Sequence, residues 1–159
     1  MSCNLSNVVS EAGTTGSLVW RLSMKWRAAV DRAVAPFGIT HAQYVLLATL
    51  YGLSLAEARP NQRELAEATG LEPVYVSRLA RALEHSQLIS RKEAADPRAV
   101  EITLTPHGQQ VVIQAIDAVR QLHDELLEPI GGQHSADNQR FRAALRALLR
   151  EQSKGETSP

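Results

Sequence analysis

The chain has 159 residues, 44 % of them apolar and 4 % aromatic. That is enough apolar material for one core, which argues against global disorder, and the length is that of one domain with or without dimerisation arms. With 17 basic and 17 acidic residues the formal net charge is zero, which excludes binding of nucleic acid by bulk charge, so any such function must rest on local geometry.

Residues 1–16 are rich in Ser, Asn, Thr and Gly and are expected as a flexible arm. From Ser17 onward Leu18, Leu22, Trp26, Val30 and Val34 recur at four-residue spacing, which predicts an amphipathic helix that stops before Pro36. Thr40 and Gln43 form an S/T-x-x-Q capping box, with Ile39 and Tyr44 at hydrophobic-staple positions, and open a second helix that runs to Leu53. A loop, Ala56–Pro60, follows. Asn61 with Glu64 caps a short helix that Gly70 breaks. Pro73 suits the first turn of the next helix, whose buried face is Val76, Leu79 and Leu83 and whose exposed face is Val74, Tyr75, Ser77, Arg78 and Arg81.

Two short strands are expected next. The first is Leu88–Arg91. In the second, Val100, Ile102 and Leu104 alternate with Glu101 and Thr103. The polar segment Glu93–Arg98, with Asp96–Pro97, is the turn between them. Thr105–Pro106 caps the longest helix, which reaches Pro129 and carries Val112, Ile116, Val119, Leu122, Leu126 and Leu127. After Gly131–Gly132 a last helix starts near Ser135, with Phe141, Leu145, Leu148 and Leu149, and residues 153–159 are expected as a frayed tail.

Helix, tight turn, helix and two-stranded hairpin in this order make a winged helix-turn-helix. In that arrangement the second helix enters the major groove, where each base pair shows a distinct donor and acceptor pattern. The basic residues suit this role, because 14 of the 17 are Arg, whose guanidinium forks onto guanine edges and phosphates.

Asp96-Pro97-Arg98-Ala99-Val100-Glu101-Ile102-Thr103-Leu104-Thr105 resembles the wing pattern D-x-R-x-x-x-x-x-L-T of the MarR (multiple antibiotic resistance regulator) family of transcription factors. Arg63-Glu64-Leu65-Ala66 with Gly70-Leu71 resembles that family's helix–turn segment. Val76-Ser77-Arg78-Leu79, with Leu83 and Leu88-Ile89, resembles its recognition helix and exit strand, and Ile39-Thr40 with Gln43-Tyr44-Val45-Leu46 its second helix. The resemblance spans Ser17 to Arg150. The chain departs from the family at Gln87, where a glycine in a left-handed conformation is usual, at Glu72, which replaces a small hydroxyl cap, at Tyr75, and at Ala99-Val100-Glu101, which thins the basic wing.

The resemblance implies a mainly α fold in which a single domain, 17–152, holds a winged helix-turn-helix region at 39–104 between dimerisation helices at 17–35 and 106–152. It implies a sequence-specific, ligand-responsive repressor that binds a pseudo-palindromic operator as a homodimer, with two recognition helices about 34–36 Å apart. Val74, Tyr75, Ser77, Arg78 and Arg81 are then expected at the DNA, and Arg91 and Lys92 at backbone phosphates. Arg98 is expected in the minor groove, with Asp96 orienting it. Glu84, three residues beyond Arg81, competes for that arginine. Regulators of this kind hold a small aromatic or phenolic effector between dimer helices and DNA module, which nominates Trp20, Trp26, His41 and Tyr44. Each of these is more often plain core or staple, and Tyr44 is explained by the staple alone.

Other chemistries find little support. His41, His85, His107, His123 and His134 are scattered, and Cys3 lies in the arm, so neither a metal site, a redox switch nor a disulfide is expected. Signatures of nucleophilic, zinc-dependent or phosphate-cradling catalysis are missing, and no enzymatic activity or cofactor is expected. The first sixteen residues lack a signal-type apolar run, and a cytoplasmic, nucleoid-associated protein is expected. The neutral charge and thinned wing leave a second reading open, a winged-helix adaptor between proteins that has lost operator binding.

Overall fold

The computed structural model describes residues 13–93 and 100–152. The elements are α1 (Thr15–Val34), a 3-10 turn at Ala35–Phe37, α2 (His41–Leu55), α3 (Gln62–Thr69), α4 (Pro73–His85), β1 (Ile89–Glu93), β2 (Val100–Leu104), α5 (Pro106–Leu127), a 3-10 turn at Glu128–Ile130, and α6 (Ala136–Gln152). The chain is mainly α-helical around one two-stranded antiparallel sheet, the architecture of a winged helix. It divides into two compact units, Met1–Ile116 and Asp117–Pro159.

In the first unit the predicted caps are the ones that form. Thr40 Oγ1 accepts from the Gln43 amide while Gln43 Oε1 accepts from the Thr40 amide, and Asn61 and Glu64 repeat the exchange at α3. The Thr40 box satisfies two of the N–H groups that a helix start leaves without a partner, and the Asn61 box three, since Asn61 Oδ1 also accepts from the Arg63 amide. Of the expected arm, residues 1–12 lie outside the described residues. Thr14 Oγ1 accepts from the Ser17 amide and starts α1 at Thr15, two residues ahead of the predicted Ser17.

Leu46, Leu47 and Leu50 of α2, Leu65 of α3, Val76 and Leu83 of α4, and Ile102 of β2 are buried and form the centre of this unit. Val30 and Val34 bring the C-terminal end of α1 to the same buried state.

The exit from α4 decides where the hairpin goes. The Leu88 amide donates to the Leu83 carbonyl (2.9 Å) and the Gln87 amide to the Glu84 carbonyl (2.9 Å), the paired bonds of a Schellman turn. That turn requires a left-handed residue, and Gln87 supplies it at φ 58° in place of glycine. β1 therefore starts at Ile89, one residue later than predicted, because Leu88 belongs to the turn.

The register pairs Ile89 with Leu104 and Glu93 with Val100. β2 is also tied back to the loop before α3. The Ile102 amide donates to the Pro60 carbonyl (2.9 Å), Asn61 bridges Glu101, and Arg59 lies 3.7 Å from Glu101.

α5 begins where Thr105 Oγ1 accepts from the Gly108 amide (2.9 Å). Thr105 in turn donates to the Leu88 carbonyl through its amide at 3.1 Å. An added Cβ at Gly108 would stand 1.8 Å from that same carbonyl oxygen, so the α4 exit and the α5 start pass backbone to backbone. This close approach requires glycine, and nothing in the sequence pattern announced it.

In the second unit, Ser135 Oγ accepts from the Asn138 amide (3.0 Å) and donates to the Ile130 carbonyl (2.7 Å), which sets the start of α6. The buried Asn138 amide group donates to the Gln133 carbonyl (2.6 Å). Leu145, Leu148 and Leu149 of α6 are exposed. Among the described residues no single helix is long and apolar enough to cross a membrane.

Candidate nucleic-acid interface

α4 is a two-faced helix. Val76, Leu79, Ala80 and Leu83 are buried and fix it to the core. The opposite face carries Val74, Tyr75, Arg78 and Arg81 in solvent, with Ser77 half-buried between them. Val74 is 75 % exposed, so this apolar side chain in the first turn contributes nothing to the core of its own chain. Glu72 precedes the helix but makes no side-chain cap bond, in keeping with the absence of the small hydroxyl usual there.

The arginines of this face are not equivalent. Arg81 Nη2 donates to Ser77 Oγ at 3.1 Å, one turn back. Glu84, placed by sequence spacing to take Arg81, instead accepts two N–H groups of Arg91 on its Oε2, the Nε contact being 2.8 Å. The competition predicted on the helix is lost to the neighbouring strand, since the turn at Gln87 brings β1 alongside Glu84. Arg91 was expected at phosphates, and its guanidinium is engaged within its own chain.

The hydrogen bonds from Arg91 hold the Glu84 carboxyl below its ordinary value, against the opposing effect of desolvation. The same contact raises the Arg91 guanidinium. Arg78 has no ion-pair or hydrogen-bond partner among the described residues, and Lys92 is likewise exposed and unpaired among them. Asp96 and Arg98 lie outside the described residues.

The exposed face of α4 borders a surface recess of about 310 Å³, lined by Gln62, Pro73, Val74, Ser77, Arg78 and Arg81. Gln62 was missed in the sequence reading. Its position as the first residue of α3, just after the Asn61 cap, is the signal that could have found it.

A second cavity, about 200 Å³, is lined by Arg27 of α1, His41, Ala42 and Val45 of α2, Leu71 of the turn, and Tyr75 of α4. The His41 amide donates to Asp31 Oδ1 (2.7 Å), and Arg27 lies 4.0 Å from Asp31. Burial lowers the His41 imidazole from its ordinary value, Asp31 opposes that shift, and Arg27 adds to it. Of the four ring-bearing candidates this cavity gathers His41. Trp26 and Tyr44 are half-buried and do not line it. Trp20 is 67 % exposed and lines a separate open recess along α1 with Leu18, Leu22 and Met24. No group of three His, Cys, Asp or Glu side chains among the described residues is placed to hold a metal ion.

A helix presented by a tight turn, followed by a two-stranded wing, defines the winged helix-turn-helix class of DNA-binding folds. The MarR family model matches residues 39–100. The chain is 32 % identical over 108 residues to the uncharacterized HTH-type transcriptional regulator YdcH of Bacillus subtilis (strain 168), covering 67 % of this chain and 74 % of that one. The chain belongs to the MarR family of transcriptional regulators.

Among solved structures it is similar to a MepR–DNA complex from S. aureus. The TM-score is 0.75 at 26 % identity, covering 87 % of this chain and 96 % of that one. It also shares the fold of the M. tuberculosis regulator MosR in complex with DNA, with a TM-score of 0.73 at 24 % identity, over 92 % of this chain and 100 % of that one.

Proposed function

We propose that the chain is a sequence-specific DNA-binding repressor that acts as a homodimer on a pseudo-palindromic operator and is released by a small aromatic or phenolic effector. The observation that carries this reading is the division of α4. One face is fully committed to the core, and the other offers Val74, Tyr75, Ser77, Arg78 and Arg81 outward. Val74 and Tyr75 suit thymine methyl groups. Arg78, without an intramolecular partner among the described residues, suits a guanine edge or a phosphate. Lys92 and Arg98 are assigned to the backbone and the minor groove, with Asp96 orienting Arg98.

The dimer is supported by the exposed apolar face of α1, where Leu18, Val19, Trp20, Leu22 and Met24 stand in solvent, and by Leu145, Leu148 and Leu149 of α6. The effector is assigned to the cavity around Arg27 and His41. This recess, about 200 Å³ and partly open to solvent, has room for one aromatic ring. Arg27 supplies a cation for a carboxylate or phenolate. Tyr75 lines this cavity and also stands on the DNA face, so an occupant that shifts Tyr75 favours a different recognition-helix position and lowers operator affinity. Such a protein works in the cytoplasm, at the nucleoid.

The test is a fluorescence-anisotropy titration of the protein against the DNA upstream of its own gene. It is run beside an unrelated duplex at two salt concentrations, with Arg78→Ala and Arg98→Ala. Preferential binding to the upstream duplex is expected, and Arg78→Ala should cost about 1–3 kcal/mol. Absence of binding to either duplex at low salt would instead favour the adaptor reading.

A further inference from the structure

We infer that Arg91 and Glu84 form a positioning clamp that sets the angle between the recognition helix and the wing, and that Arg91 acts on DNA through this clamp and not by touching phosphate. The inference rests on the DNA-binding reading above.

Three observations lead to it. First, Arg91 Nε and Nη2 both donate to one carboxylate oxygen of Glu84, so the guanidinium is oriented as well as paired. Second, both side chains are only partly exposed, Arg91 at 29 % and Glu84 at 39 %. The other ion pairs of the helices are open i,i+3 or i,i+4 contacts in which both side chains are more exposed than Arg91 and Glu84. Third, the pair adds a side-chain tie to the backbone bonds of the α4 exit. β1 leaves α4 through the hydrogen-bonded turn at Gln87, a non-glycine in the left-handed region, and the Thr105 amide holds the Leu88 carbonyl beside it. The clamp lies just beyond that turn and joins the last turn of the helix to the middle of the strand.

The two roles open to Arg91 predict opposite signs at Glu84. If Arg91 served as a phosphate contact, Glu84 would be its competitor. Removing the carboxylate would free a cation, tighten DNA binding and steepen its salt dependence. As a clamp, Glu84 is Arg91's required partner, and removing it loosens the geometry and weakens binding with the salt slope unchanged.

The experiment measures affinity and salt slope for the upstream duplex with wild type, Arg91→Ala, Glu84→Gln, the double variant, Arg91→Lys, and the charge-swapped pair Arg91→Glu with Glu84→Arg. Thermal melts confirm that each variant folds.

The expected result is a loss of affinity of about three- to tenfold for either single substitution, the same loss for the double variant, and an unchanged slope. Recovery is expected in the swapped pair and partly in Arg91→Lys. Tighter binding by Glu84→Gln, or a slope reduced by about one in Arg91→Ala, would overturn the clamp and make Arg91 a phosphate contact. A wild-type protein that binds no duplex at low salt would overturn the DNA-binding reading itself, and the clamp's role with it.

Discussion

α1 and α4 both carry apolar residues at helical spacing, and the two stripes end differently. On α4, Val76, Leu79, Ala80 and Leu83 are buried by the α2, α3 and hairpin side chains of the same unit. On α1 only the last turns, with Ala29, Val30 and Val34, are buried, while Leu18, Val19, Trp20, Leu22 and Met24 remain exposed. Periodicity therefore reports which face of a helix is apolar and leaves open whether its own chain covers that face. A stripe left open for most of its length is the surface the proposed homodimer would use.

The comparison breaks or holds on the cost of cutting each region. A large effect, comparable with that of a core truncation, is expected where backbone meets backbone. Gly108→Ala forces a Cβ against the Leu88 carbonyl and should destabilise the winged-helix unit by about 3 kcal/mol, the upper end for overpacking, in chemical denaturation.

Next comes a matched pair of truncations. Leu83→Ala, within the closed stripe, should cost about 2–5 kcal/mol at any protein concentration. Leu22→Ser, within the open stripe, should act through association, lowering the dimer fraction in sedimentation and making the melting temperature depend more steeply on concentration. Equal, concentration-independent losses in both variants would remove the distinction between the two helices.

The smallest effect is in pH. Both His41 and Glu84 have folded-state values below their ordinary ones. In the folded state each binds protons less readily than in the unfolded chain, so each contributes stability that is present above the ordinary value and lost as pH falls through the folded one. Stability should decline first below 6.5, as the unfolded chain protonates His41, and again below 4.5, as it protonates Glu84. His41→Gln should remove the first decline and Glu84→Gln the second, read as melting temperature against pH.

Much of the fold was legible because its signals are local. Capping boxes at Thr40 and Asn61, the glycine stop at Gly70 and the Pro73 start each act within a few residues, and each forms; the strand at Val100–Leu104 forms too, although of its apolar residues only Ile102 is buried. The left-handed demand at Gln87 was legible too, as a departure from the family pattern. The face of α4 was readable from its period. The partners on that face were not, since Glu84 lies at equally good helical distance from Arg81 and only the α4–β1 turn brings Arg91 closer. The cavity was missed for the same reason: Arg27, His41, Leu71 and Tyr75 come from four different segments, and no spacing rule links them.

By itself, then, the amino-acid order determined the sequence of elements, their caps and their apolar faces, because those depend on contacts a few residues apart. Tertiary structure alone decided two things: that Glu84 holds Arg91 and that Gly108 must lack a side chain. Each depends on where a distant piece of backbone arrives, and that position follows from the packing of the whole unit, not from any one segment within it.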